Sequence, residues 1–232
     1  MKPNSSSFRV AALTVAVLGT SVSSYAQSCP TTSASSNNTV ALANEYEVLR
    51  NGKTIGQHSV RFESDQGMMT VTAETHMQVK ILFVTAYRYH YKSQEFWCGN
   101  QLQAVRTQVN DGGDANAVSA LRKQDGYVIT QNGNQYFVPG MIPPTNHWNI
   151  DLITTDRLFN TITGKLNAVK ITDMSPSQGA IPLGRYSIRG ELNIDTTYDS
   201  AGNWTGMTFD HDDGSKIEFR CVSCNSTPDH PT

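Results

Sequence analysis

The residues whose types suit chemistry are most concentrated around His147. His147, Trp148 and Asn149 follow three prolines within residues 139–150, and prolines deny a segment the hydrogen bonds of a sheet ladder. A rigid loop of this kind can aim an imidazole into the mouth of a barrel, where an acid such as Asp151 would complete a general acid–base pair. Loops carry functional groups more often than strands do. The alternative is that Trp148 fills the barrel end as core and that His147 is exposed.

A second group of candidates lies in residues 85–92, which read TAYRYHYK. Alternate side chains of a strand point to opposite faces, so one face carries tyrosines and the other carries basic residues. The tyrosines are Tyr87, Tyr89 and Tyr91, and the basic residues are Arg88, His90 and Lys92. We expect the tyrosines on the concave face with Phe83, because inward cations without partners would be costly to bury. They would then form one wall of a ligand cavity; the alternative is an ordinary half-buried strand.

Other catalytic and metal-binding patterns are absent from the sequence. It contains neither the G-x-S-x-G elbow of serine hydrolases nor the H-E-x-x-H pattern of zinc proteases. Residues 210–214 (DHDDG) hold several acids, but they are too few for a calcium loop, and Asp-Gly is the chemistry of a hairpin turn. The sequence therefore predicts no catalytic residue, no metal site and no cofactor.

The four cysteines are Cys29, Cys98, Cys221 and Cys224. An even count in an exported chain predicts structural disulfides, and four cysteines allow three pairings. Cys221 and Cys224 have the spacing of a redox motif, but such a motif places its first thiol at a helix N-terminus, and here the pair follows a strand. A four-thiolate zinc site is a further alternative that requires reduced thiols.

The N-terminal residues 1–26 have the three parts of a secretory signal peptide. Lys2 and Arg9 precede the apolar run 10–18, and Ser24-Tyr25-Ala26 provides small residues before a cleavage site at Gln27. The apolar run is too short to span a bilayer, which needs about 20 residues. We therefore expect a soluble protein, exported to the periplasm or secreted and cleaved after Ala26, with no membrane span.

The domain organisation follows from composition. Residues 27–41 and 225–232 are polar and poor in apolar side chains, and we expect a disordered linker and a disordered tail there. Residues 42–224 are left as one domain. Removing Lys2 and Arg9 with the signal peptide leaves 16 of 18 basic residues against 20 acidic ones, a net charge of −4. A nucleic-acid partner is not expected, since such proteins carry a basic patch.

The elements that must position the candidates are short strands joined by turns. Residues 46–55 place Asn51-Gly52 between alternating segments, the strongest short-range hairpin signal, and residues 69–80 alternate strictly between apolar and polar. Ten or more such strands predict an all-β fold, a strongly curved antiparallel sheet that forms a half-barrel or closed barrel. Residues 151–164 have the apolar spacing of one short helix that caps one end.

Several motifs carry a family resemblance. They are residues 95–102 (EFWCGNQL), 110–113 (NDGG), 146–149 (NHWN), 158–164 (LFNTITG) and 198–215, which holds Trp204 and Asp213-Gly214-Ser215. Together they resemble an uncharacterised family of exported proteobacterial proteins, a domain of unknown function. The resemblance spans about Glu45 to Cys221. It implies a periplasmic β-rich fold and gives no residue a catalytic role.

These observations favour a soluble, non-enzymatic binding or carrier protein for an apolar or lipid-like ligand, since barrels hold ligands in their mouths. The predicted ligand-binding residues are Phe83, Tyr87, Tyr89, Tyr91, His147 and Trp148. Two alternatives remain open: an assembly factor of the cell envelope that binds protein partners, and an envelope hydrolase that uses His147 and Asp151. The sequence does not determine the oligomeric state.

Overall fold

A computed structural model of the chain describes Cys29 and residues 42–81, 84–175 and 184–224. The predicted signal peptide, nearly all of the linker, the tail and Phe83 lie outside the described residues. Within these ranges no helix is long and apolar enough to cross a bilayer. The strands are β1 (Leu42–Arg50), β2 (Lys53–Asp65), β3 (Met68–Ile81), β4 (Val84–Cys98), β5 (Gln101–Asp111), β6 (Asp114–Lys123), β7 (Gly126–Gln131), β8 (Asn134–Pro139), β9 (Arg157–Phe159), β10 (Leu166–Asp173), β11 (Gly184–Gly190), β12 (Ile194–Tyr198), β13 (Trp204–Asp210) and β14 (Lys216–Ser223).

The first eight strands follow one another as a meander of hairpins. Asn51 and Gly52 both adopt positive φ, 48° and 78°, the backbone that a two-residue hairpin turn requires. β2 and β3 are long, and their ladder holds from Gly56 opposite Met77 to Asp65 opposite Met68. Each pair of long neighbouring strands is therefore joined by a tight turn whose residues are specified locally in the sequence.

All fourteen strands form one antiparallel sheet in the order β8-β7-β6-β5-β4-β3-β2-β1-β14-β13-β12-β11-β10-β9. Its two edge strands are β8 and β9, so no continuous ladder closes it. The turn after β9 nevertheless reaches the other edge region: Tyr136 of β8 donates its hydroxyl hydrogen to the Gly164 carbonyl, and the Asn116 amide donates to the Ile162 carbonyl. The sheet is thus barrel-like, and side-chain hydrogen bonds connect its two edges across the gap. Of the two expected forms, the half-barrel and the closed barrel, its ladder does not have the closed one.

The core lies on the concave face of this sheet. On β3 the residues Met69, Val71, Ala73 and Thr75 are buried, while the residues between them are more exposed. The same period-two alternation runs along β4 and β5, as half-buried strands require. The main apolar cluster includes side chains from both halves of the sheet order, such as Phe62 and Trp204, and a smaller cluster contains Leu158 and Ile188.

The short helix expected in residues 151–164 does not form. A 3-10 helix spans Ile150–Thr154, and the chain then becomes strand β9 (Arg157–Phe159). β9 pairs with β10, and Phe159 also forms a parallel bridge to Pro144. Tertiary strand pairing has overridden an apolar spacing that a helix would also have satisfied, as it commonly does for short segments.

Candidate functional site

Strand β4 carries the predicted tyrosine stripe. Tyr91 is buried, Tyr87 and Tyr89 are half-buried, and Arg88 and His90 of the opposite face are exposed. Tyr89 packs against the main core and Tyr91 belongs to it. The orientation matches the alternation of the sequence, because each tyrosine is two residues from the next.

An open groove with a volume of about 1110 Å³ lies where the β3–β4 hairpin extends beyond its neighbours. β3 and β4 remain paired as far as Ile81 and Val84, whereas the β2–β3 ladder ends at Gly56 opposite Met77. Apolar lining comes from Ile55, Met77, Tyr87 and Tyr89. Polar lining comes from Gln57, His76, Gln78, Arg88, His90 and Asn110. The groove is therefore lined by apolar and polar side chains together.

The three tyrosine hydroxyls differ in their partners. Tyr87 donates to the Asp111 carboxylate at 2.5 Å, and Tyr91 donates to the Asn146 side-chain oxygen at 2.7 Å. Among the described residues, the hydroxyl of Tyr89 has no hydrogen-bond partner. Burial raises the pKa of Tyr89 above its usual value, so this hydroxyl stays neutral and is available to a ligand. Burial likewise raises the pKa of Tyr91 to about 12.

His147 and Trp148 lie in the protein interior and do not line the groove. The Trp148 ring packs edge-on against Phe62 and Trp97, with centroids 5.5 and 5.7 Å away. The His147 ring stacks on Trp204 at 5.5 Å. Trp148 is core, as one of the two interpretations of this loop held, but His147 is buried beside it and not exposed.

Glu95 was not predicted as a site residue, yet it organises this interior. It is fully buried, and its Oε2 accepts hydrogen bonds from the indole nitrogens of Trp97 at 2.9 Å and Trp148 at 3.0 Å. The Asn146 amide donates to its Oε1. Burial raises the pKa of Glu95 to about 7, although these three donors favour the carboxylate. Glu95 lies four positions after Tyr91, so the alternation of side chains places both on the concave face of β4. This alternation was the sequence signal that could have identified Glu95.

Two histidines share the interior next to this group. His58 Nδ1 lies 2.7 Å from the Thr75 hydroxyl, while Nδ1 of His147 is buried without a hydrogen-bond partner in the described part of the chain. Burial lowers the pKa of His58 to about 3 and that of His147 to about 4, and the mutual repulsion of the two rings adds to the shift of His58. Both imidazoles are therefore neutral at ordinary pH.

His147 and Asp151 do not form an acid–base pair in the described structure. His147 is buried, whereas the Asp151 side chain is exposed at the start of the 3-10 helix. No hydrogen bond or ion pair joins them in the described part of the chain. The geometry gives the hydrolase alternative no support from this pair.

The cysteines form two disulfides. Cys29 bonds to Cys98 at the end of β4, across 69 positions, and Cys221 bonds to Cys224 at the end of β14. The sequence left three pairings open, and proximity in the fold selects this one. Cys221 lies on a strand, so it lacks the helix N-terminus that activates a redox thiol.

A family model for a domain of unknown function, DUF6134, matches residues 46–222. The chain belongs to this family. The match covers β1 to β14 almost completely, so the DUF6134 domain is the whole described sheet. No curated protein matches the sequence significantly. The resemblance inferred from the motifs is confirmed at this level, and it brings no activity with it.

Among solved structures, the DUF6134 chain is similar to a β-barrel-like protein of another domain of unknown function, DUF1849, from Brucella abortus. The TM-score is 0.55 at 12% sequence identity, and the likeness covers 82% of this chain and 99% of the other. At this identity the comparison shows the fold alone. It supports the barrel-like architecture described above.

Proposed function

We propose that this protein is a non-enzymatic binding protein that holds an amphiphilic, lipid-like ligand in the groove beside the β3–β4 hairpin. The observation that carries the proposal is the mixed apolar and polar lining of one open space of about 1110 Å³. Ligand sites combine apolar lining with a few placed polar groups. An acyl chain would contact the apolar lining residues, and a polar head group would contact the polar ones.

Tyr89 and Arg88 give the proposed ligand its orientation. The Tyr89 ring lines the groove and packs against the core. Among the described residues its hydroxyl has no hydrogen-bond partner. Arg88, which is exposed on the opposite face of β4, also lines the groove, and within the described ranges it forms no ion pair. Since a guanidinium binds carboxylates and phosphates well, we infer that the head group is anionic.

We also propose that the protein acts outside the cytoplasm, exported by residues 1–26. The two disulfides support this compartment, because disulfides persist in oxidising environments. A lipid-like ligand belongs to the envelope that such a protein would meet.

Binding is testable with a fluorescent fatty acid, 11-(dansylamino)undecanoic acid, titrated into the purified protein. We expect fluorescence enhancement that saturates at one site. Tyr89→Ala should weaken binding by roughly tenfold, since removing an aromatic side chain from an apolar contact costs at least about 1.5 kcal/mol. Tyr89→Phe should lose less, because it keeps the ring and removes only the hydroxyl.

The matched control is Phe137→Ala. Phe137 is an exposed aromatic residue of β8 outside the groove, so its variant should bind the probe as the wild type does. The proposal is wrong if the wild type gives no saturable enhancement, or if the two alanine variants lose affinity equally.

The β8 edge favours the assembly-factor alternative. β8 is an edge strand, and Phe137 and the following Met141 are 50% and 59% exposed. An exposed edge with apolar side chains can accept a strand from a partner protein. Crosslinking of the protein to envelope proteins tests this alternative. If Phe137→Lys abolishes their capture while Tyr89→Ala leaves it unchanged, the assembly-factor function is supported.

A further inference from the structure

Three side chains that suit metal coordination meet on the convex face of β3 and β4. Glu74 and His76 are two positions apart on β3, and His90 of β4 lies directly opposite His76 in the ladder. Glu74 Oε1 is 3.0 Å from His76 Nε2 and 2.9 Å from His90 Nε2. All three possible ligand atoms lie within 4.8 Å of one another.

These separations suit one small cation. Two ligand atoms bound at about 2.0–2.1 Å to a tetrahedral zinc ion are about 3.3 Å apart, so small shifts of exposed side chains would suffice. The two imidazole rings are nearly parallel, at 18° with centroids 4.2 Å apart, and both direct Nε2 toward the same carboxylate. In the metal-bound form each Nε2 would give its lone pair to the ion, and each neutral imidazole would carry its proton on Nδ1.

Charged and hydrogen-bonding groups around the cluster compete with a metal ion for its ligand atoms. The Lys92 ammonium lies 3.9 Å from the other oxygen of Glu74 and leaves Oε1 to the histidines. Hydrogen bonding from His90, more than any other influence, lowers the pKa of Glu74. The histidine side chains are 51% and 48% exposed and that of Glu74 is 27% exposed, which leaves room for water at the open coordination positions.

We propose that Glu74, His76 and His90 form a binding site for a divalent first-row transition metal ion, with solvent completing its coordination. Two imidazoles and one carboxylate are ligands that Zn²⁺, Cu²⁺ and Ni²⁺ accept, whereas Ca²⁺ and Mg²⁺ prefer oxygen ligands throughout. The site lies on an outer face held by two long paired strands. Because His76 and His90 also line the groove, the ion would lie beside the ligand proposed there, although it needs no such ligand to bind.

The test is isothermal titration of ZnCl₂ into the untagged protein at neutral pH. We expect one equivalent of Zn²⁺ to bind. His76→Asn, His90→Asn and Glu74→Gln should each weaken binding by roughly tenfold or more, since even a partner beyond the direct ligands contributes about that much. The matched control is His211→Asn, because His211 is another exposed histidine beside a carboxylate, 3.3 Å from Asp213.

Long-range ¹H–¹⁵N spectra of the imidazoles locate the ion. The signals of His76 and His90 should shift with Zn²⁺ while those of His211 stay in place, and circular dichroism should show every variant folded. The proposal is overturned if the wild type binds no Zn²⁺ at millimolar concentration. It is equally overturned if His211→Asn loses as much affinity as His90→Asn, or if the His90→Asn variant keeps the wild-type affinity.

Discussion

Glu95 is a buried acid at the centre of a group of hydrogen bonds inside the sheet. Its carboxyl group accepts hydrogen bonds from two indoles and one amide while fully buried. A buried polar group is tolerated when its hydrogen bonds are made and is costly when they are not. Glu95 therefore holds Trp148 and Asn146, and with them the loop after β8, inside the sheet.

The pKa of Glu95 predicts a distinct pH dependence. Its folded-state value of about 7 exceeds the ordinary 4.5, so the folded protein binds a proton more tightly than the unfolded chain does. Stability contributed by Glu95 is full below pH 4.5 and falls by about 3 kcal/mol as the pH rises to about 7. Urea unfolding at several pH values should show the free-energy difference between wild type and Glu95→Gln narrowing over this range. A difference that is independent of pH would contradict the raised pKa.

The buried histidines predict the opposite slope. Since their folded-state pKa values are about 3 and about 4 against an ordinary 6.5, the unfolded chain binds protons first as the pH falls. Their contribution is full above pH 6.5 and is lost by several kcal/mol as the pH approaches 4. In urea titrations, the free energy of unfolding of His147→Gln should fall less on acidification than that of the wild type. The free energy of the exposed control His211→Gln should fall as much as that of the wild type. Equal slopes in all three proteins would contradict the neutral, buried His147.

At the level of elements, the β3–β4 hairpin is the unit that places both proposed sites. Its concave face supplies Tyr87 and Tyr89 to the groove, and its convex face supplies His76 and His90 to the metal site and also to the lining of the groove. The two faces belong to the same ladder, so a shift in register by one residue would exchange them. The Cys29–Cys98 disulfide fastens the far end of β4 to the chain before β1.

The two disulfides should differ in their effect on stability. Cys29–Cys98 spans 69 positions and Cys221–Cys224 spans 3, and a crosslink restricts the unfolded chain more when its loop is longer. The entropic model gives about 4 kcal/mol for the first and about 2 kcal/mol for the second. Urea unfolding of the paired Cys→Ser variants should show the larger loss for Cys29 and Cys98. The reverse order would show that loop length does not decide these contributions.

At the level of the whole molecule, one sheet joins the two halves of the sequence. β1 pairs with β14, so the N-terminal meander and the C-terminal strands share one core. The gap between β8 and β9 is bridged by side chains, through Tyr136 and Asn116. We expect the outer strands near this gap to open more readily than the centre, because they have fewer ladder partners.

Export is a prediction about the whole chain. If residues 1–26 are a cleaved signal peptide, protein recovered from the periplasm should begin at Gln27, and its four cysteines should resist alkylation until reductant is added. N-terminal sequencing and mass spectrometry before and after reduction measure both. A retained Met1 in the folded protein, or full labelling without reductant, would contradict export to an oxidising compartment.

Much of the fold could be predicted because its signals are local. The alternation in residues 69–80 and 87–91 fixes which side chains share a face, and Asn51-Gly52 fixes a turn. The helix expected in residues 151–164 did not form, because the local pattern there was not specific to one structure. Its apolar positions were compatible with two structures, and pairing with β10 and Pro144 chose the strand.

By itself, the sequence determined the all-β class, the faces of β3 and β4 and the family, since these follow from period-two patterning, turn residues and motifs. Only the tertiary structure decided the cysteine pairing, the hydrogen bonds of Glu95 and the meeting of Glu74 with His90. Each of these includes a contact between residues well separated in the chain, such as Glu95 and Trp148, 53 positions away. The register of neighbouring strands and the curvature of the sheet bring such residues together, and a local pattern specifies neither.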